Sequence, residues 1–326
     1  MQQSTTPSDE SQRPEISVVA PCYNEEAVLA EFHRRVAAVC EGLGRSWELV
    51  LVDDGSKDRT WPIMIELADQ DAHLVMVKLS RNHGHQLALT AGLSVCRGQR
   101  ILIMDADLQD PPELLPKMLE MMDQGVEVVY GQRRGRKGES TFKLATASLF
   151  YRLIARMSDV NIPRDAGDFR LISRKALEVL AAMPERHRFI RGMVAWIGLR
   201  QEPILYDRDP RYAGQTKYPV RKMVRFAIDA ITSFSIRPLT MAIWLGLLTA
   251  LFSLGLLGYA LVSWLCFETV HGWTSMLAAI GVLGSVQLFV LGIMGQYLGR
   301  LYEQAKGRPL FIVDRIYRGE EKDKRL

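Results

Sequence analysis

The chain is poor in the features that would place it most quickly. Its 326 residues hold only four cysteines, Cys22, Cys40, Cys96 and Cys266, none at a paired metal-ligand or redox spacing. Thiols scattered this way read as free cysteines in a reducing compartment and not as a disulfide framework. The net charge of +4 is too small to argue for nucleic acid as a partner. Residues 1–14 are polar and lack an apolar core, so they read as a disordered tail and not a signal peptide. No internal repeat is apparent. No Gly-x-Gly-x-x-Gly turn follows the first apolar strand, which disfavours a dinucleotide-dependent dehydrogenase.

The most informative lack is of charge in the last third. Charged residues make up 24% of the chain, yet none occurs from Leu239 to Phe267 or from Trp273 to Leu298. At about 1.5 Å per residue, either run can cross a hydrocarbon layer of about 30 Å. Two transmembrane helices, about 239–267 and 273–298, are therefore expected within residues 238–299. The short turn Glu268–Gly272 carries no Lys or Arg. Arg221, Lys222, Arg225 and Arg237 precede the pair, and Arg300, Lys306, Arg308 and Arg315 follow it. The positive-inside rule then puts both flanks, both termini and any preceding domain in the cytoplasm, with residues 300–326 as a basic tail.

Residues 219–237 read as an amphipathic juxtamembrane helix. Val220, Met223, Val224, Ala227, Ile228 and Ile231 share a face, with Arg221, Lys222 and Arg225 off it. Such a helix either packs on a core or lies in a membrane interface. Gly281, Gly284, Gly292, Gly295 and Gly299 would let helices approach closely, which leaves homo-oligomer contacts open; glycine is also simply common in membrane helices.

Residues 15–218 alternate strand and helix patterns. Ile16–Ala20, Trp47–Val52, Leu74–Leu79, Ile101–Met104 and Val126–Tyr130 are apolar runs of strand length. Helical periodicity separates them, with Leu29, Phe32, Val36 and Val39 on one face of the first helix, and Gln86–Val95 before the fourth strand. Further helices are expected over Phe142–Met157 and Arg174–Ala182. The order implies an α/β domain with a Rossmann-like, mainly parallel sheet covered on both faces.

The chemically suggestive residues fall at strand ends: Asn24, Asp53, Asp54, Asp105 and Asp107. The central stretch, Ile101-Leu-Ile-Met-Asp-Ala-Asp-Leu-Gln-Asp-Pro-Pro-Glu113, ends a buried strand in two carboxylates, and Pro111 and Pro112 then open a helix. Open α/β sheets bind ligands at this edge. A hard divalent cation takes one or two such carboxylates plus substrate phosphates, although most Asp-x-Asp pairs are only solvated turns. His83 and His85 flank Gly84, but two histidines with no third ligand nearby do not make a metal site; helix-start packing or a sugar-side hydrogen bond suits them better. A basic, glycine-rich loop, Gly131–Glu139, follows the sheet, and a second loop over residues 208–219 contains Arg211 and Lys217.

Taken together, Ile16-Ser-Val-Val-Ala-Pro-Cys-Tyr-Asn-Glu25, Val52-Asp-Asp-Gly-Ser56, Arg81-Asn-His-Gly-His-Gln86 and Asp105-Ala-Asp-Leu-Gln-Asp-Pro-Pro-Glu113 resemble the family 2 inverting glycosyltransferases of GT-A fold. Gly167-Asp-Phe-Arg-Leu171, the Arg211-Tyr-Ala-Gly-Gln-Thr-Lys-Tyr218 loop and the apolar hairpin narrow the likeness to polyprenyl-phosphate glycosyltransferases, over roughly residues 15–315. Processive polysaccharide synthases of the same superfamily carry a Gln-x-x-Arg-Trp motif and more spans, and this chain has neither. A catalytically silent nucleotide-binding scaffold would have no need of Asp53, Asp105, Asp107 and Asp168 together.

The resemblance implies that Pro21, Tyr23, Glu25, Asp53 and Asp54 line a nucleotide pocket, with Asp53 on the uracil side. It implies that Asp105 and Asp107 flank the diphosphate of a nucleotide-sugar, Asp107 being the more direct ligand of Mg²⁺ or Mn²⁺ and Gln109 lying beside it. Asp168 stands where the family often has a base, and a phosphate acceptor already ionised needs orienting more than deprotonating. Arg133, Arg134, Arg136 and Lys137 are then placed to screen donor and lipid phosphates, with Arg211 and Lys217 as further phosphate contacts. The implied partners are a nucleotide-sugar, a polyprenyl phosphate (undecaprenyl phosphate first) and the bilayer. Glucose is the first expectation for the sugar; other hexoses and an amino-arabinose remain open.

Overall fold

The computed structural model describes residues 13–134, 166–186, 188–207, 237–266, 272–318 and 321–324. The chain divides into two compact units. One holds the sheet and its helices, and residues 309–326 return to it; the other holds the two long apolar helices.

The sheet begins with β1 (Ile16–Cys22), every residue of which is buried. A strand covered on both faces reads as a continuous apolar run, as this one does. β1 lies between β2 (Trp47–Asp53) and β4 (Arg100–Ile103), parallel to both, and β3 (Leu74–Leu79) extends the parallel set beyond β2. Helices α1 (Leu29–Gly42), α2 (Thr60–Ala68) and α3 (His85–Val95) make the crossovers. On α1 the buried face is Leu29, Phe32, Val36 and Cys40, with Val39 only half-buried. α3 sits so close to the sheet that a Cβ on Gly92 would lie 2.5 Å from Val19 Cγ1 and 2.9 Å from Val52 Cγ2.

After β4 a 3₁₀ turn, Pro112–Leu114, leads into α4 (Leu115–Asp123). β5 (Val128–Arg133) runs past the expected Tyr130, so Gly131–Arg133 is strand and not the start of the basic loop. β6 (Ala166–Ser173) is antiparallel to both β4 and β5. It carries the Gly-Asp-Phe-Arg-Leu motif into the middle of the sheet. α5 (Arg174–Ala182) starts as expected, capped by Ser173. α6 (Ile190–Trp196) and β7 (Gln201–Tyr206) follow, the latter parallel to β5.

The second unit consists of α7 (Arg237–Cys266) and α8 (Trp273–Ala305). Both contain windows long and apolar enough to cross a membrane, Leu239–Leu256 and Ala279–Ala305. Only 6% and 0% of these windows are buried, which is unlike the core helix of a soluble protein. A Cβ on Gly281, Gly284, Gly292, Gly295 or Gly299 would meet nothing within 4 Å, so these glycines do not mark a close approach between α7 and α8.

One expectation is corrected here. Residues 300–326 are not a tail: α8 continues to Ala305, and β8 (Val313–Arg318) pairs antiparallel with β3, Val75 opposite Arg318 and Val77 opposite Ile316. β9 (Glu321–Lys324) then pairs with β8, giving the order β7-β5-β6-β4-β1-β2-β3-β8-β9. The physical reason is that β3 would otherwise present a row of unpaired backbone groups at a sheet edge. The expected tail of residues 1–14 falls largely outside the described residues. So do the expected helices over residues 142–157 and 219–236, Arg136 and Lys137, and the loop with Arg211 and Lys217.

Candidate active site

The site is assembled from turns at the carboxyl ends of the parallel strands. The turn after β1 is laced to the turn after β2. Asn24 takes a left-handed conformation (φ 57°), its N–H donates to Ser56 Oγ at 3.0 Å, and Lys57 N–H donates to Asn24 Oδ1 at 2.9 Å. Glu25 N–H donates to Thr60 Oγ1 at 2.8 Å, and Arg59 N–H donates to Glu26 Oε2 at 2.9 Å. Pro21 is buried in β1 opposite Val52, and Tyr23 projects outward, 42% exposed.

The two aspartates after β2 separate in role. Asp53 accepts from Ser56 N–H at 2.9 Å through Oδ1, while its buried Oδ2 has no hydrogen-bond partner. A buried acceptor left open in this way calls for a donor from outside. Asp54 is committed to the chain itself: His83 and Gly84 N–H donate to its two oxygens at 2.7 and 2.9 Å. Burial pushes its carboxyl up, and those two bonds pull it part of the way back. Gly55 lets the turn close on the same segment, since a Cβ there would lie 2.6 Å from Arg81 C and Asn82 N and its φ is +67°. Asp54 thus fixes the start of α3.

That start presents His85 and Gln86 to the acidic centre. His85 Nε2 lies 3.5 Å from Asp105 Oδ1 and 3.3 Å from Asp168 Oδ2. Burial pulls the imidazole down, but the Asp168 hydrogen bond and the charges of Asp105, Asp168 and Asp54 outweigh it and hold the pKa at about 9. The ring keeps 42% of its side-chain surface open to solvent, so water screens part of this attraction. Gln86 Nε2 donates to Asp168 Oδ2 at 3.0 Å, and its Oε1 accepts from Ile190 N–H at 2.9 Å. One side chain therefore ties α3, β6 and α6 together. From α6, Arg191 Nη2 approaches Asp168 Oδ1 at 3.5 Å.

Asp168 is buried, which would raise its pKa. The His85 bond and the charges of Arg191, Arg170 and His85 overcome this and hold the carboxyl well below the usual carboxylate range. Arg170 is buried behind it and donates to Gly167 O at 2.8 Å. Its own pKa falls to about 10, burial outweighing the Asp168 charge. Arg133, at the end of β5, reaches the same strand: its Nη2 lies 3.3 Å from where a Cβ on Gly167 would sit, and its buried Nε has no partner. Arg134 points elsewhere, 3.9 Å from Asp207.

After β4, Asp105 is raised to about 6, by burial first and then by Asp168, Asp110 and Asp107, with His85 opposing. Its Oδ1 is buried without a hydrogen-bond partner. Gln109 N–H donates to Asp107 Oδ1 at 3.2 Å across a turn in which Leu108 is left-handed (φ 61°). Asp110 is held apart by Tyr206, whose hydroxyl donates to Oδ1 at 2.6 Å. Among the described residues no cluster of three or more protein ligands could hold a metal by itself. The donor set still fits a hard cation of the Mg²⁺ class, which keeps waters and substrate phosphates in its shell and needs few carboxylates.

The structure brings Asp107 and Asp168 each close enough to Asp105 to raise its carboxyl, with Asp53 at the adjoining strand end. Arg191, Gln86 and Arg170 were not singled out from sequence. Arg170 sits inside the quoted Asp-Phe-Arg-Leu motif, and Gln86 closes the quoted Arg-Asn-His-Gly-His-Gln motif. Arg191 had no local signal.

Residues 17–181 match the model of the family described as glycosyl transferase family 2. An uncharacterized glycosyltransferase, YkcC of Bacillus subtilis, is 43% identical over 94% of this chain and 95% of its own length. The SfII prophage-derived bactoprenol glucosyl transferase of Shigella flexneri is 36% identical over 93% of this chain and 99% of its own. Among solved structures, S. aureus TarS 1–349 in complex with UDP-GlcNAc aligns with a TM-score of 0.47 and 18% identity, over 67% of this chain and 66% of that one.

Proposed function

We propose a specific reaction for this chain, which belongs to glycosyl transferase family 2 and is a glycosyltransferase. It transfers a sugar, glucose, with inversion from a uridine diphosphate donor to a polyprenyl phosphate at the cytoplasmic face of a membrane. The observation that carries the reading is the end-to-end match to the bactoprenol glucosyl transferase, a likeness that includes the apolar hairpin as well as the sheet domain.

In this reading the open Oδ2 of Asp53 accepts from the uracil ring, and Tyr23 and Glu25 flank the base. Asp105 and Asp107 would hold Mg²⁺ or Mn²⁺ with Gln109 beside them; when bound, the ion stabilises negative charge gathering on the departing diphosphate. The bond from the anomeric carbon to the diphosphate breaks as a bond to an acceptor phosphate oxygen forms on the opposite face. A phosphate monoester has a second pKa of about 6, so at neutral pH the acceptor needs no base.

Asp168 is suited to orientation. A carboxylate already held ionised by His85 and Arg191 has little tendency to take a proton. Its charge would repel the acceptor if left bare, and His85, Arg191 and Arg170 offset it. Arg134, Arg211 and Lys217 would be further contacts for the donor and acceptor phosphates. The hairpin would hold the enzyme in the membrane, both flanks inside, and the juxtamembrane segment would seat the domain at headgroup level.

The test is incubation of purified protein with labelled nucleotide sugars and undecaprenyl phosphate, followed by lipid extraction. Label from UDP-glucose should appear in the lipid phase. Label that stays in water with every donor, alongside intact folding, overturns the assignment.

A further inference from the structure

At the edge of the sheet opposite the aspartates, where β2 and β3 begin, lies a cleft of about 370 Å³. Arg13, Arg97 and Arg318 line it together with Glu48 and the pair Trp47 and His73. Those two rings stack at 4.2 Å with 6° between their planes, which leaves one flat aromatic wall. Among the described residues neither the Arg13 nor the Arg97 guanidinium has a hydrogen-bond or ion-pair partner. The one carboxylate in the lining, Glu48, is already engaged: Ser17 Oγ–H and Arg97 N–H both donate to its Oε1. The cleft is therefore a concavity with surplus positive charge from Arg13 and Arg97, and Arg318 shares its lining.

We propose that this cleft is a second, anion-binding site that takes a diphosphate group. Guanidinium forks grip phosphate oxygens bidentately and favour such ligands over single-point anions. Guanidinium groups sharing one cleft repel until an anion enters, so binding removes a cost as well as adding contacts. The volume lies in the range of small-ligand pockets, about 300–1,000 Å³. Arg318 ends β8, opposite Val75 of β3, while Arg97 precedes β4 and Arg13 precedes β1. A ligand gripping Arg13 and Arg97 would lie beside the end of β8, whose Arg318 shares the lining. The source of the diphosphate is either free pyrophosphate or a nucleotide whose base lies on the His73 wall.

The experiment is titration calorimetry on the full chain in detergent micelles, with chelator present so that no metal recruits ligand to the aspartates. The probes are inorganic pyrophosphate and UDP. A donor-site variant, Asp53→Asn with Asp107→Ala, should still bind pyrophosphate at one equivalent. Arg13→Ala with Arg97→Ala should weaken that binding by roughly tenfold or more. The parent's melting temperature should rise with pyrophosphate and the double arginine variant's should not. Equal affinity for both probes assigns the bare diphosphate; UDP binding roughly tenfold tighter in the donor-site variant assigns the nucleotide. The two guanidinium groups carry no hydrogen bond or ion pair among the described residues, and unchanged melting of the ligand-free variants checks that they fold. Binding lost in the donor-site variant, or unchanged in the arginine variant, overturns the proposal.

Discussion

His85 Nε2 stands 3.3 Å from Asp168 Oδ2, and this pairing joins the first residue of α3 to the third residue of β6. The same nitrogen lies 3.5 Å from Asp105 Oδ1, so His85 bridges the carboxylate that follows β4 and the one on β6. His85→Ala should lower transfer by about 10–100-fold, the size of a lost hydrogen bond to a charged group. Donor affinity in calorimetry should fall less than turnover. Unchanged turnover would remove His85 from the mechanism.

Asp107→Ala should nearly abolish transfer while the melting curve stays close to the parent's. Chelator should silence the parent, and Mg²⁺ or Mn²⁺ should restore it. Full activity in chelator would rule out the cation assigned to Asp105 and Asp107.

Asp168 has a folded pKa depressed below the ordinary carboxylate value, so it stays ionised through neutral pH and contributes no acidic limb there. Asp168→Asn should slow turnover while leaving the position of the pH optimum in place. Disappearance of an acidic limb near neutrality, present in the parent, would establish Asp168 as the general base instead.

Asp71 predicts a pH dependence of stability away from the site. Its Oδ2 lies 2.8 Å from His33 Nε2, and its Oδ1 accepts from His73 N–H at 2.9 Å. Burial raises its pKa, but the bonds from His33 and His73 prevail and lower it. A depressed carboxylate stabilises the fold above its unfolded pKa of about 3.9, and that contribution is lost as pH falls through the lower folded value. Melting temperature should therefore drop below about pH 4 more steeply in the parent than in Asp71→Asn, which should cost about 1–3 kcal/mol at neutral pH. Parallel curves would contradict the assignment.

Removal of residues 309–326 should destabilise the sheet domain, because β8 is the partner of β3 along Val75–Leu79. An apolar strand left open at an edge is a template for association. Size-exclusion chromatography in detergent should show the truncated chain moving to larger species. A monodisperse profile like the parent's would mean that β3 tolerates an open edge.

Sequence alone determined what depends on local pattern. Fully buried strands such as Ile16–Cys22 need unbroken apolar residues, and amphipathic helices need a 3.6-residue repeat, so the α/β order was legible. Two uncharged runs were enough to read the long apolar helices α7 and α8, because a charge is costly in hydrocarbon. The strand-end aspartates were legible as a set because turns follow strands at predictable places. Only the tertiary structure decided how they divide the work. Asp53 and Asp54 are neighbours in sequence, yet one keeps an open oxygen and the other spends both on the His83–Gly84 backbone. Arg191 reaches Asp168, and Gln86 spans to Ile190, through contacts that close only when α3, β6 and α6 pack. The return of Val313–Arg318 to β3 was hidden likewise, since an edge strand's partner is set by unpaired backbone groups, which carry no signature in the residues of the strand that answers them.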